Sequence, residues 1–131
     1  MKNRLVIQSE LKALDTVYQW LEIFFVDKIS EKELRNILLI TQEMVTNSIL
    51  HGNQSIKEKQ VILNRSINST HVVIEIEDEG EGLKSLPSLE EAQELDYLAE
   101  NGRGVKLAVL MTERIELKNN KMKLIFKINE N

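Results

Sequence analysis

The sequence predicts a two-layer α/β sandwich, an α+β domain whose mixed, mostly antiparallel sheet carries its helices on one face. Three observations lead there. The hydrophobic period changes along the 131 residues in the order β-α-α-β-β-α-β-β, with a polar segment before the last helix. Two pairs of alternating runs are each joined by a short turn containing asparagine, which makes them antiparallel hairpins. A long segment between Ser30 and Asn53 has one broad apolar face at helical spacing, so it must bury that face against another layer.

Taken in order, Arg4–Gln8 (RLVIQ) is a short apolar run and reads as a strand. Ser9 is placed to cap a helix running to about Lys28, with Leu11, Leu14, Val17, Tyr18, Leu21, Phe24 and Phe25 as its core stripe. Trp20 and Phe24, four apart, read as packing residues. Ser30 and Glu33 form a capping box that starts the next helix. Gly52 and Asn53 are residue types that end a helix in the left-handed conformation. Between them Leu34, Ile37, Leu38, Thr41, Met44, Val45, Ser48 and Ile49 share a face.

Val61–Ile67 and His71–Asp78 alternate as two strands about an Asn68-Ser69 turn. In the second strand Val72, Ile74 and Ile76 share one side, and by the same parity Asp78 points to that apolar side. Residues 83–101 form a polar segment with a short helix over 88–99, a composition suited to a mobile lid. Asn101-Gly102-Arg103-Gly104 then leads into VKLAVLM, the first turns of another helix, and RIELK and KMKLIFKI pair about Asn119-Asn120.

The length fits one domain spanning residues 1–131. Hydrophobic residues make up 42% and charged residues 29%, an ordinary balance for a globular chain. The absence of cysteine excludes disulfides and thiolate zinc sites and fits a cytoplasmic location. No apolar run suits a signal peptide or a bilayer span, so no membrane role is expected. The net charge of −4, with no Lys/Arg cluster, argues against direct nucleic-acid binding.

Three motifs carry chemistry. Glu43 and Asn47 are one helical turn apart on the long helix, beside its core-facing stripe. A carboxylate and a carboxamide there need partners; a metal ion with a phosphate ligand would supply them, and so would surface solvation. Asp78, at the inward-facing end of a strand, opens D-x-G-x-G with Gly80 and Gly82. It either solvates itself at the strand exit or accepts a hydrogen bond from something held inside. Gly102, Arg103 and Gly104 open a helix, where backbone N–H groups and a guanidinium suit an anion; a flexible loop with a surface arginine is the plain alternative. Neither common phosphate loop is present, since Ser85 and Leu107 stand where a third glycine would be needed and no G-x-x-x-x-G-K-[ST] occurs.

Together, E-x-x-x-N running on into His51-Gly52, D-x-G-x-G and G-R-G resemble, in order and spacing, the N, G1 and G2 boxes of the GHKL (Bergerat) ATP-binding fold. That fold is shared by gyrase, Hsp90, histidine kinases and MutL. The wording EMVTNSILHGN and the short lid are similar to bacterial anti-sigma-factor serine kinases of the Gram-positive stress and sporulation switches. The resemblance implies that Asp78 accepts the adenine amino group, with Gly80 and Gly82 letting the backbone pass close to the base. It implies Asn47 as a Mg²⁺ ligand, Glu43 as general base toward a serine hydroxyl, and Gly102, Arg103 and Gly104 as phosphate-binding residues. ATP and Mg²⁺ are the expected cofactors. The expected partners are a sigma factor and a STAS-domain anti-anti-sigma protein, with the chain acting as a homodimer. His51 is read as favourable to the helix dipole rather than as a ligand.

Two features depart from the family. Lys106 occupies a helix position usually apolar in relatives, its amine either near phosphate or in solvent. The last hairpin lacks the Gly-Thr pair that often helps contact adenine in this fold. A non-catalytic, nucleotide-binding sequestration protein is the alternative function. A detached sensor-kinase domain would need an acceptor histidine on a helical hairpin, and neither His51 nor His71 lies in such an element; nothing before residue 1 is expected to provide one, and the chain is short for a gyrase- or MutL-type ATPase.

Overall fold

The computed structural model describes residues 3–83, 85–94 and 103–128, and its elements follow the order set by the periodicity. Strand β1 (Arg4–Gln8) precedes helices α1 (Leu14–Phe25) and α2 (Glu31–Asn47). Strands β2 (Gln60–Ile67) and β3 (His71–Glu77) follow, then the short helix α3 (Leu89–Gln93), helix α4 (Arg103–Met111) and strands β4 (Arg114–Lys118) and β5 (Lys121–Lys127). The sheet order is β1-β2-β3-β5-β4, and each of these neighbouring pairs is antiparallel.

Local chemistry sets the ends of these elements. Ser30 Oγ accepts the Glu33 N–H at 3.1 Å and Glu33 Oε1 accepts the Ser30 N–H at 2.9 Å, so the capping box forms at the start of α2. The β2–β3 turn is one residue later than the sequence suggests. Asn68 N–H donates to the His71 carbonyl at 3.0 Å, while Asn68 Oδ1 accepts from the Thr70 and His71 N–H groups, leaving Ser69 and Thr70 at the tip. In the β4–β5 turn Asn119 takes a φ of 55°, which asparagine tolerates.

One face of the sheet is covered. Ile7, Val61, Leu63, Val72, Ile74, Ile76, Leu124 and Phe126 form a single buried cluster with Val17, Leu21 and Phe25 of α1 and the apolar stripe of α2. Two residues expected in the α1 stripe are outside it: Leu11 is 51% and Tyr18 37% exposed. The helix starts at Leu14, after a 3₁₀ turn over Leu11–Ala13, so the phase extrapolated from Ser9 does not hold. Ser9 is not a cap. It is buried, its Oγ donating to the Lys59 carbonyl at 2.7 Å.

Arg65 shares the inner side of β2 with Val61 and Leu63 and is only 4% exposed. Its guanidinium lies 4.4 Å from the Trp20 ring centre and 4.2 Å from that of Phe24, and it donates to the Trp20 carbonyl. The two aromatics therefore do pack, but on a cation. Burial pushes the Arg65 pKa below its ordinary value. The opposite face of the sheet is polar and pairs its own charges. Lys123 reaches Glu75 and Glu116, Arg114 reaches Glu116, and His71 reaches Glu113. Among the described residues no helix is long and apolar enough to cross a membrane.

Candidate functional site

A cleft of about 1080 Å³ opens where the end of α2, the loop after β3, the start of α4 and the β4–β5 hairpin converge. Glu43, Asn47, Asp78, Gly80, Gly82 and Gly104 all line it. These residues come from three separate stretches of chain, and the fold brings them to one hollow. Arg103 is the first residue of α4. Gly102 lies outside the described residues, as do position 84 and residues 95–101 of the segment read as a lid. Of that segment α3 is described, starting at a second capping box between Ser88 and Glu91.

The way α2 ends shapes the cleft. After Asn47 the chain winds as a π-helical turn over Ser48–Gly52, closed by Asn53 N–H donating to the Ser48 carbonyl at 2.8 Å. Such widened turns are rare and frequent at functional sites. The left-handed residues that follow are Gln54 and Ser55, with φ of 53° and 58°, rather than Gly52 and Asn53. Gly52 serves another need. A Cβ there would lie 2.2 Å from Asp78 Oδ2, so only glycine lets the helix end abut that carboxylate.

Asp78 is nearly buried, at 9% exposure, as its parity in β3 required. Its Oδ1 accepts the Gly80 N–H at 2.8 Å. Its own N–H donates to the Asn120 carbonyl at 3.2 Å, and its carbonyl accepts from Asn120 Nδ2. The hairpin thus backs the loop that carries the acid. Gly82, with a φ of 78°, passes against the Asn119 carbonyl, where a Cβ would come within 2.0 Å. Apolar walls come from Met44, Ile76, Val105, Leu117 and Met122.

At the other end, the start of α4 presses on α2. A Cβ on Gly104 would stand 3.0 Å from Glu43 Oε1, so the helix start and this carboxylate are immediate neighbours. Its first amides have no intrahelical partners and offer a partial positive charge. His51 lines the cleft as well and is exposed. Lys106 is not among the lining residues. Its charge acts instead on Glu91 of α3, whose carboxyl is held below the ordinary range chiefly by its hydrogen bonds with Ser88 and less by Lys106.

The cleft therefore offers an acceptor in an apolar recess, a helix N-terminus with the Glu43 carboxylate beside it, and the Asn47 carboxamide on the α2 wall one helical turn further on. That arrangement matches an elongated ligand with a flat, donor-bearing head and an anionic tail. Asn53 and Asn120 also shape the site, although the sequence suggests only a helix-ending role for the first and a turn role for the second. Their partners are distant in the chain, and nothing local announces such pairings.

A family model described as the histidine kinase-like ATPase domain matches residues 7–128. The anti-sigma F factor of Clostridium perfringens (strain SM101 / Type A) is 34% identical over 104 residues, covering 73% of this chain and 72% of that protein. The anti-sigma F factor of strain ATCC 13124 is 33% identical over 97 residues, covering 70% of this chain and 67% of that protein.

Proposed function

We propose a function from the premise that this chain belongs to the histidine kinase-like ATPase domain family: it binds ATP, holds a sigma factor as an anti-sigma factor, and phosphorylates a serine on a STAS-domain anti-anti-sigma protein. The observation that carries the reading is the meeting of Asp78, Asn47 and Glu43 in one cleft. The similarity to anti-sigma F factors supports the choice of partner.

In this reading Asp78 accepts the adenine amino group, and Gly80 and Gly82 keep the loop close to the base. The first amides of α4, with Gly102, Arg103 and Gly104, hold the phosphates. Among the described residues no three acidic or histidine side chains cluster as a metal cage. A Mg²⁺ at this site would take Asn47 from the protein and complete its shell with phosphate oxygens and water. Bound there, the ion would neutralise charge on the transferring phosphate. Glu43 takes the proton from the partner's serine hydroxyl as that oxygen bonds to the γ-phosphorus. The bond from phosphorus to the β–γ bridging oxygen breaks, and ADP leaves. The active protein is a homodimer, and its site of action is the cytoplasm.

The test is incubation with Mg²⁺, ATP and a STAS-domain partner, with phosphoserine read by mass spectrometry. The reading expects phosphoserine with the wild type and its loss in Glu43→Gln at unchanged ATP affinity. Tight ATP binding without any phosphoserine would instead leave a nucleotide-dependent sequestration protein.

A further inference from the structure

Asn53 stands immediately after the π-helical turn and is fully buried. Its carboxamide is used three times, on three segments. Nδ2 donates to Ser9 Oγ just past β1 at 2.9 Å and to the Gln60 carbonyl at the start of β2 at 3.0 Å. Oδ1 accepts the Glu79 N–H at 2.7 Å. That N–H belongs to the peptide unit joining Asp78 to Glu79. The carbonyl of the same unit accepts from Asn120 Nδ2, so this one peptide is gripped on opposite edges by two asparagines. A third bond closes the arrangement, with Glu79 Oε2 accepting the Gln60 N–H at 2.6 Å.

A peptide unit turns about the bonds to its flanking Cα atoms, and rotation at Asp78 Cα would swing the carboxylate across the cleft. Hydrogen bonds at both edges suppress that rotation. We propose that Asn53 is a positioning residue for the nucleotide site: by holding the Glu79 N–H it fixes the direction of the Asp78 carboxylate and so sets the preference for a base carrying an amino donor. The proposal rests on the nucleotide reading above. It assigns to Asn53 a role beyond stability, because a residue that only stabilised the fold would affect all ligands of the cleft alike.

The test compares calorimetric affinities for ATP and for purine riboside triphosphate, which lacks the 6-amino group, in wild type, Asn53→Ala and Ser9→Ala, with melting temperatures alongside. Wild type should prefer ATP. In Asn53→Ala that preference should fall roughly five- to tenfold, the loss of a well-aligned hydrogen bond to the base, while affinity for the analogue stays within about twofold. Partial unfolding would instead weaken both ligands in proportion and leave the ratio unchanged. Ser9→Ala removes one acceptor of Asn53 Nδ2 and carries the test if Asn53→Ala does not fold; its preference for ATP should fall about twofold or more. A wild-type ratio in whichever variants fold overturns the proposal for Asn53 and leaves the nucleotide reading intact. Failure of the wild type to bind either triphosphate would overturn both.

Discussion

Gly52→Ala isolates the acceptor without touching it. The added Cβ would lie 2.2 Å from Asp78 Oδ2, whereas ordinary contact begins near 3.4 Å. The carboxylate must therefore retreat by about 1.2 Å, the difference between those two distances. A shift of that size also strains the bond from Gly80 N–H, now 2.8 Å. Hydrogen bonds to charged groups contribute about 1.5–3 kcal/mol, and each 1.4 kcal/mol is a factor of ten in affinity, so ATP binding should weaken about 10- to 100-fold. The backbone at Gly52 is helical, and alanine is favoured over glycine in a helix by up to ~1 kcal/mol, so the melting temperature should change little. Calorimetric titration with ATP, paired with thermal unfolding, reads both quantities. Affinity within twofold of wild type in a folded Gly52→Ala protein would refute the assignment of Asp78 as the acceptor.

Glu43→Gln should lower phosphoryl transfer by about 10²–10⁴ while ATP affinity stays near wild type; equal losses in both, from single-turnover and titration data, would contradict the base assignment. Arg65→Ala removes a buried cation within 4.4 Å of two ring centres and leaves the Trp20 carbonyl without its guanidinium donor, so urea unfolding should show a loss of about 2–4 kcal/mol. Arg65→Lys should recover little of that, because an ammonium lacks the planar face with which a guanidinium packs on aromatic rings. Glu91 gives a pH signature. Its folded pKa lies below the ordinary glutamate value of 4.5, so its capping contribution is complete above that pH and is lost as pH falls through the folded value. The protection factor of the Ala92 N–H, which donates to the Ser88 carbonyl, should fall on acidification in that window and become insensitive to it in Glu91→Gln. Equal protection on both sides of the window would show that the cap does not hold α3.

Much of this architecture was legible because it is written in local spacing. The stripe of α2 was read nearly as observed, since its contacts repeat every three or four residues along one element. Ile40, fully buried though off that stripe, was missed because α2 is packed by both α1 and α4 and so buries more than one side. Parity placed Asp78 correctly at the inner face. The same parity applies to Arg65, in step with Val61 and Leu63, and the alternation of β2 could have flagged it as a buried cation. Where partners are remote, the local sequence carries no signal of them. Ser9 has the residue type of a cap, yet its hydroxyl meets Lys59 and Asn53, 50 and 44 residues away. Gly52 has the residue type of a left-handed helix end but does not adopt that conformation. Its requirement comes from Asp78, on another element.

The central claim is that Asp78 is the base-recognising acceptor of an ATP site, and calorimetric titration of wild type and Asp78→Asn with ATP and ADP in the presence of Mg²⁺ tests it most directly. Asparagine has the same shape, fits against Gly52 and keeps the acceptor for Gly80 N–H, but it replaces the second oxygen with a donor that opposes the adenine amino group. Binding of both nucleotides by wild type, with at least a tenfold loss in a folded Asp78→Asn protein, is the expected result. Equal affinities in the two proteins, or no binding by wild type, would contradict the account.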